Sequence, residues 1–330
     1  MAINKKRLSL IIMCIFMVNI ASCGTNNTQP SDSAFASDTS ILSEQPQPLA
    51  GDINVSEKKG TRDNTPLCLV PSADNIITYG NDSVTVDASH TEKGFVMVQY
   101  HGSVSKVKLQ ITGSNKVTYT YDLTSEYAAF PLMSGNGNYV IAAYENIKDD
   151  QYATVYEHTI AVDLENEFLP YLYANQYVRF DDSSASTKLA SELAYSANSE
   201  LDVVTNVYNY IISNITYDYE KAGNVQNGYI PDIDTVLSTK SGICFDYASL
   251  MAAMLRSQQI PTRLEVGYAG ESYHAWISTY IADIGWVNGM IEFDGKEWTL
   301  MDPTFAANSS ERSLKEFIGN GSNYMTKYIY

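Results

Sequence analysis

Cysteine is scarce in this chain, with four residues in 330. The four lie at positions 14, 23, 68 and 244, whereas the cysteines of a disulfide framework come as an even set at close spacing. The sequence therefore excludes a disulfide-rich fold, and only a single Cys68–Cys244 bridge stays open as an alternative. Such a bridge would leave both thiols unreactive.

Histidine is equally scarce, and the four histidines do not form a metal-binding motif. His90, His101 and His158 lie far apart, without the spacing of metal ligands, and we expect them at the surface or at strand edges. No acidic loop has the spacing of calcium ligands. The sequence thus predicts neither a metal site nor a cofactor.

Basic residues are few: 21 Lys and Arg stand against 38 Asp and Glu, which gives a formal net charge of −17. This balance argues against binding to nucleic acid or to an anionic membrane surface through bulk charge. Hydrophobic residues make up 45% of the chain, enough to bury sizeable cores, and the length predicts about two domains.

The first 22 residues have the features of a bacterial lipoprotein signal peptide. Lys5, Lys6 and Arg7 precede the apolar run Leu8–Ile20, which is too short to span a bilayer comfortably. The sequence Ile20-Ala21-Ser22-Cys23-Gly24 then resembles a lipobox, which implies cleavage before Cys23 and lipidation of that residue. We therefore predict an extracytoplasmic protein held at the cell membrane by a lipid on Cys23. An ordinary signal peptide with an incidental cysteine is the alternative.

Two segments separate this leader from the C-terminal domain. Residues 23–72 are rich in Ser, Thr, Asn, Gln, Asp and Pro, which predicts a disordered tether. Residues 73–165 show short alternating stretches, such as Val107–Ile111, between Gly- and Asn-containing turns. They predict a β-sandwich of immunoglobulin-like architecture that acts as a spacer or, alternatively, as a recognition module.

Residues 166–330 alternate helical and strand periods. Ser186–Ala197 is predicted as a helix, and Ser199 with Asp202 gives a capping signal for the next one. Tyr217 and Tyr219 follow that helix; we expect them in the core, with a cleft wall as the alternative. A further helix is predicted from Cys244 to about Gln258.

Antiparallel strands follow the helix that begins at Cys244. Thr262–Tyr268 and Tyr273–Tyr280 alternate, and Asp294-Gly295 lies between two apolar runs, which indicates a hairpin turn. His274 lies on the second of these strands, and Asp302 follows the strand that begins at Trp298. This order predicts that the histidine and the aspartate face each other near the start of the helix.

Cys244, His274 and Asp302 have the residue types of a thiol-nucleophile site, in which a base activates the thiol and a carboxylate orients the base. No other cysteine or histidine follows residue 158. At a helix start, unpaired N–H groups and the helix dipole favour a thiolate, and Gly242 leaves the approach to it open. A buried cysteine, a core histidine and a turn at Asp302-Pro303 are the structural alternative.

Three blocks in this region resemble the transglutaminase-like superfamily, relatives of the papain-like cysteine peptidases. They are Gly242-x-Cys244-x-Asp246-Tyr247-Ala248, His274-Ala275-Trp276 and Trp298-x-x-x-Asp302-Pro303-Thr304. The resemblance covers about residues 200–305. It implies an α+β fold with the cysteine helix on an antiparallel sheet, Cys244 as nucleophile, His274 as acid and base, Asp302 as orienting carboxylate and a structural role for Asp246.

The resemblance further implies acyl transfer through a thioester on amide bonds. The substrate would be a protein, a peptide or a cell-wall peptide, and we favour hydrolysis over protein crosslinking. A non-catalytic surface binding protein is the alternative from a different class. The backbone N–H of Cys244 is one predicted oxyanion donor, and the sequence identifies no second donor.

Overall fold

The computed structural model describes residues 58–226, 228–269, 272–282, 284–287, 291–293, 298–300 and 324–330. The predicted signal peptide, the lipidation site Cys23 and residues 23–57 of the predicted tether lie outside these ranges, as does Asp302. Among the described residues, no helix has the length and apolarity needed to cross a membrane.

Residues 78–162 form two four-stranded antiparallel sheets. Their strands are β1 (Thr78–Gly80), β2 (Val84–Asp87), β3 (Phe95–Tyr100), β4 (Val107–Thr112), β5 (Thr118–Asp122), β6 (Ala128–Pro131), β7 (Gly137–Lys148) and β8 (Gln151–Val162). One sheet has the order β1-β2-β3-β6 and the other the order β5-β4-β7-β8. Neighbouring strands in both sheets run antiparallel.

The alternation in the sequence accounts for the way these strands bury one face. On β4, Val107, Leu109 and Ile111 are buried, while Lys108 and Gln110 are partly exposed. Successive side chains of a strand point to opposite faces, so the apolar set faces the core as a unit. Burial of such side chains is the main favourable term in folding, about 1.5–3 kcal/mol for each one fully buried.

The second half of the described chain combines helices with a third four-stranded sheet. Its elements are α1 (Ala185–Leu193), α2 (Glu200–Asn214), β9 (Thr216–Tyr217), α3 (Tyr219–Asn224), α4 (Ile233–Thr239), β10 (Ser241–Gly242), α5 (Cys244–Ser257), β11 (Thr262–Ala269), β12 (Ser272–Ile281), β13 (Gly285–Val287), β14 (Ile291–Phe293), β15 (Trp298–Leu300) and β16 (Tyr324–Ile329). The sheet has the order β13-β12-β11-β16, and α5 packs on β11 and β12. The predicted mixture of helix and sheet is confirmed at this level.

The helix α5 is the centre of this half of the molecule, because all fourteen of its residues are buried. Arg256, near its C-terminal end, is fully buried and donates hydrogen bonds to the backbone carbonyls of Thr262, Tyr173 and Tyr330. One guanidinium thereby ties the helix end to three separate segments. A buried charge persists only when it is satisfied in this way.

The capping signal before α2 is confirmed. The Asp202 N–H donates to Ser199 Oγ at 3.2 Å, and the Ser199 N–H donates to Asp202 Oδ2 at 3.1 Å. This reciprocal pair satisfies two of the backbone donors that a helix start leaves free. The pair therefore stabilises the first turn of α2.

Residues 60–69, which we predict as the end of a disordered tether, instead pack on the helices. The Gly60 N–H donates to Tyr195 O at 2.9 Å, the Arg62 N–H to Ala197 O at 3.1 Å and the Leu67 N–H to Ser257 O at 2.9 Å. A Cβ on Gly60 would lie 2.0 Å from the carbonyl oxygen of Ala197, so the close approach requires glycine here. The prediction of disorder was wrong for these residues because it rested on the polar side chains, whereas the contacts are made by the backbone.

Candidate active site

Cys244 is the first residue of α5 and is 4% exposed. The chain reaches it through Ile243, whose extended backbone precedes the first helical turn. The Ile243 N–H donates to Asp246 Oδ2 at 2.8 Å. Asp246, on the third residue of the helix, therefore fixes the turn that presents Cys244.

Two short parallel strands bring Tyr217 to the cysteine. In the ladder of β9 with β10, Tyr217 pairs with Gly242, and the Asp218 N–H donates to Gly242 O at 2.9 Å. The Tyr217 hydroxyl accepts a hydrogen bond from the backbone N–H of Cys244 and is also hydrogen-bonded to the thiol. Tyr217 is thus half-buried and in contact with the cysteine, a contact that neither the core nor the cleft-wall interpretation specified.

Gly242 serves a purpose other than the open approach that the sequence suggests. A Cβ at this position would lie 2.8 Å from the Cβ of Asp246. Real Cβ atoms do not approach that closely, so glycine is required for Asp246 to fold back on Ile243. The glycine therefore supports the helix start.

His274 lies on β12, opposite Gly267 of β11. The next residue, Ala275, donates its backbone N–H to the sulfur of Cys244. This contact places the strand that carries His274 beside the start of α5. His274 is buried, with 8% of its surface exposed.

Burial favours the neutral forms of both the Cys244 thiol and the His274 imidazole. Burial raises the pKa of the Cys244 thiol to about 12; the Asp246 carboxylate adds to this, and the Ala275 N–H and the Tyr217 hydroxyl oppose it. Burial lowers the pKa of the His274 imidazole to about 4. Desolvation therefore outweighs the helix-dipole effect that we expected to favour a thiolate. Burial therefore does not favour the thiolate that the position of Cys244 at the helix start predicts.

Two predicted site residues, Asp302 and Cys23, lie outside the described residues. The hairpin that leads to Asp302 is confirmed, since Phe293 of β14 pairs with Trp298 of β15 and Ile291 with Leu300. The alternative of a Cys68–Cys244 bridge is wrong. Both thiols are free, and the Cys68 sulfur lies 3.7 Å from Thr187 Oγ1.

Asp246 has the structural role that the resemblance implies. Its carboxylate is fully buried and accepts hydrogen bonds from the Ile243 N–H, from Lys221 Nζ at 2.6 Å and from the Tyr229 hydroxyl at 2.5 Å. Lys221 lies on α3, and Tyr229 lies between α3 and α4. No local signal reveals them, because they lie 25 and 17 residues before their partner.

A comparison with protein families matches residues 187–303 to the transglutaminase-like superfamily. The matched segment runs from α1 past Asp302 and includes Cys244 and His274. Residues 187–303 carry a transglutaminase-like core. The α5 helix with Cys244 at its start and the β12 strand with His274 both lie within the matched segment.

Two proteins are similar to this chain in sequence. UPF0252 protein MJ1282 of Methanocaldococcus jannaschii is 27% identical over 244 residues, covering 66% of this chain and 66% of that protein. Protein-glutamine gamma-glutamyltransferase of Pseudomonas aeruginosa is 28% identical over 108 residues, covering 28% of this chain and 14% of that protein. The chain thus spans just under two thirds of the first relative and about a seventh of the second.

Among solved structures, the chain is similar to a candidate cysteine protease from Cytophaga hutchinsonii. The two are 18% identical, with a TM-score of 0.32, and the match covers 70% of this chain and 69% of the other.

Proposed function

We propose that this protein is a cysteine-nucleophile enzyme that acts on amide bonds by thioester acyl transfer, with hydrolysis as the outcome. Cys244 is the nucleophile, His274 the general acid and base, and Asp302 the carboxylate that orients the imidazole. The observation that carries the proposal is the hydrogen bond from the Ala275 N–H to the Cys244 sulfur, which joins the start of α5 to the strand with His274.

The first half of the reaction uses the neutral pair. His274 takes the thiol proton as the Cys244 sulfur attacks the carbonyl carbon, and a tetrahedral oxyanion forms. The carbon–nitrogen bond then breaks, and the protonated imidazole gives its proton to the leaving amine. In the second half, His274 takes a proton from water and the hydroxide attacks the thioester carbonyl. The carbon–sulfur bond then breaks, the carboxylic acid leaves, and the Cys244 thiolate regains a proton from the imidazolium of His274.

The oxyanion needs donors in place before it forms. The Cys244 N–H is one donor at a helix start, and we assign the Tyr217 hydroxyl as the second. In the resting protein this hydroxyl accepts from the Cys244 N–H and contacts the thiol. A bound carbonyl oxygen would replace it on the N–H and receive its proton as a hydrogen bond.

Protein crosslinking is the second candidate, and one observation favours it. The Pseudomonas aeruginosa relative is named a protein-glutamine gamma-glutamyltransferase. An amine in place of water would then resolve the thioester and form an isopeptide bond. The two outcomes share every step up to the acyl-enzyme, so they differ only in the second nucleophile.

The remaining parts of the chain fit an enzyme at a surface. We propose that residues 1–22 are a lipoprotein signal peptide, that Cys23 is lipidated at the outer side of the membrane, and that the two sheets of residues 78–162 form an immunoglobulin-like spacer. The substrate is then a protein, a peptide or a cell-wall peptide. Metabolic labelling with an alkyne fatty acid, compared between wild type and Cys23→Ala, tests the anchor.

A trapped acyl adduct tests the enzymatic proposal. The full chain is incubated with a peptide library or with cell-wall fragments, quenched in acid and digested for mass spectrometry. We expect an adduct on the peptide that contains Cys244 in wild type and in the matched variant Cys68→Ala, and none in Cys244→Ala. An adduct that persists in Cys244→Ala contradicts the assignment of the nucleophile.

The same samples separate the alternatives. Stable isopeptide bonds to an added amine donor, in place of free acid, would favour crosslinking over hydrolysis. Binding of the fragments with equal affinity by wild type and Cys244→Ala, with no adduct and no product, would favour a non-catalytic binding protein.

A further inference from the structure

The buried carboxylate of Asp246 lies two residues after Cys244 and has none of its surface exposed. It is needed where it is, because it accepts the N–H of Ile243 and so defines the turn before the nucleophile. The same negative charge opposes ionisation of the nearby thiol, as it is one cause that raises the pKa of Cys244. The Asp246 carboxylate therefore has two opposing effects at the helix start: it holds the turn before Cys244 in shape, and it disfavours ionisation of the Cys244 thiol.

Lys221 of α3 is the cation that reaches this carboxylate. Its Nζ lies 2.6 Å from Asp246 Oδ2 and 2.6 Å from the Tyr229 hydroxyl, and it sits 4.6 Å from the centre of the Tyr229 ring. The Tyr229 hydroxyl in turn donates to Asp246 Oδ1 at 2.5 Å. Both carboxylate oxygens are thus occupied by donors from a segment 17 to 25 residues earlier in the chain.

Other titratable groups surround this cluster. On the cysteine side they are Tyr217 of β9, which is hydrogen-bonded to Cys244, and Tyr247 of α5, whose pKa is raised by burial and by the Asp246 carboxylate. On the lysine side, Asp218 accepts the backbone N–H of Lys221, and the Asp232 carboxylate acts on Tyr229. Among the cations of the described residues, Lys221 is the one that forms an ion pair with Asp246.

We propose that Lys221 is a positioning residue of the acyl-transfer site, whose ammonium partly balances the Asp246 carboxylate, so that this group shapes the Ile243–Cys244 turn while opposing ionisation of the nucleophile less than an unpaired carboxylate would. The inference rests on the proposed function only in taking Cys244 as that nucleophile. Lys221 does not touch the reacting atoms; it acts through Asp246. Its side chain is 29% exposed and lines an open groove of about 420 Å³, so it reaches the buried carboxylate from the surface.

The chain supplies a matched control for this role. Lys240 donates to the hydroxyl of Tyr210 and lies 5.0 Å from the centre of that ring, which repeats the lysine–tyrosine contact of Lys221 and Tyr229. The pair at Lys240 lies at the surface, and its hydrogen bond is exposed. A difference in Cys244 alkylation between Lys221→Met and Lys240→Met therefore reports the balance of charge at Asp246, because both variants lose a lysine–tyrosine contact.

The test is the pH profile of iodoacetamide alkylation at Cys244 in the full-length protein, followed by mass spectrometry of the cysteine-containing peptides. Cys68 in the same samples serves as an internal reference thiol. We expect Lys221→Met to shift the Cys244 profile to higher pH, so that alkylation at a fixed pH falls by about threefold or more, since half a pKa unit corresponds to a factor of about three. Lys240→Met should leave the profile at its wild-type position.

Three further variants complete the test, and two of them keep the result interpretable if Lys221→Met unfolds. Lys221→Arg retains the cation and should keep the wild-type profile, and Asp246→Asn removes the opposing charge and should shift the profile to lower pH. The double variant Lys221→Met/Asp246→Asn should return the profile toward wild type, because the uncompensated carboxylate is gone.

An unchanged profile in folded Lys221→Met, or no recovery in the double variant, overturns the inference. Neither result bears on the proposed function, because alkylation requires no substrate. Conversely, absence of any acyl adduct in wild type would overturn the proposed function while leaving the alkylation profiles as a valid test of the ion pair.

Discussion

The hydroxyl of Tyr217 accepts a hydrogen bond from the backbone N–H of Cys244. The hydroxyl of a core tyrosine has many possible hydrogen-bond partners. The hydroxyl of Tyr217 is bound to the N–H group that the proposed oxyanion requires as a donor. The parallel pairing of β9 with β10 holds the tyrosine there. The contact links the strand after α2 to the chemistry at the start of α5.

Removal of this hydroxyl should slow the reaction without unfolding the protein. In Tyr217→Phe the thiol loses a donor that lowers its pKa, and the oxyanion loses its second donor. We expect acyl-enzyme formation to slow on the order of tenfold or more, with a thermal midpoint close to wild type. Tyr219→Phe is the control, since it removes a neighbouring hydroxyl from a ring whose centre lies 5.0 Å from that of Tyr217. Equal rates in Tyr217→Phe and wild type would contradict the assignment.

The thiol of the resting protein should titrate in the alkaline range. Because burial raises the pKa of Cys244 to about 12, the thiolate fraction grows about tenfold for each pH unit below that value. We expect the alkylation rate of Cys244 to rise steadily through neutral pH and up to about pH 10. A plateau near neutral pH would instead indicate a preformed thiolate–imidazolium pair.

His274 should make the protein less stable in acid. Its pKa falls from 6.5 to about 4 in the fold, so the unfolded chain binds a proton first as the pH drops. The stability that this buried neutral imidazole contributes is fully present above pH 6.5 and is lost as the pH falls toward 4.

The measurement is urea unfolding of wild type and His274→Gln at several pH values. The difference in free energy of unfolding between the two proteins should change by up to about 3 kcal/mol between about pH 7 and pH 4, to the disadvantage of wild type. Parallel pH dependence of the two proteins would show that the imidazole is not buried in its neutral form.

Arg256 should be among the most costly positions to change. It is fully buried and donates to carbonyls of Tyr173, Thr262 and Tyr330, so Arg256→Met leaves several acceptors without a donor. We expect a loss of about 3 kcal/mol or more in the free energy of unfolding. Arg256→Lys keeps a charge but lacks the planar fork, and it should recover only part of that loss. Thermal and urea unfolding both measure the effect.

Gly242→Ala should affect the site more than the addition of a single methyl group would suggest. The new Cβ would lie 2.8 Å from the Cβ of Asp246, so the carboxylate must move off the Ile243 N–H. We expect slower acylation together with a lowered thermal midpoint. Gly223→Ala is the control, because no heavy atom lies within 4 Å of a Cβ built there. Wild-type rates in Gly242→Ala would mean that the turn tolerates the displacement.

The sequence predicts well those parts of the fold that depend on local patterns. The helix from Cys244, the Ser199–Asp202 cap and the pairing of Ile291–Phe293 with Trp298–Leu300 all follow from periodicity, capping residues and turn residues. These signals are local because the physical interactions behind them connect residues close in the chain.

Such local patterns do not predict contacts between segments that lie far apart in the chain. The approach of Lys221 to Asp246 and of Tyr217 to Cys244 depends on how β9, α3 and α5 pack. The raised thiol pKa was also missed, since helix position is visible in the sequence whereas burial of the cysteine is not. The prediction for Asp302 falls outside the described residues and stays a prediction.

The packing of residues 60–69 on the helices has a mechanical consequence. Tension on the chain from the side of residue 57 reaches the hydrogen bonds at Gly60 and Arg62 before it reaches β1, which begins at Thr78. Those bonds attach to Tyr195 and Ala197, between α1 and α2, and the bond of Leu67 attaches to the last residue of α5. A pull on the protein would therefore load the layer that carries Cys244 first, and the sheets of residues 78–162 only after this segment had peeled away.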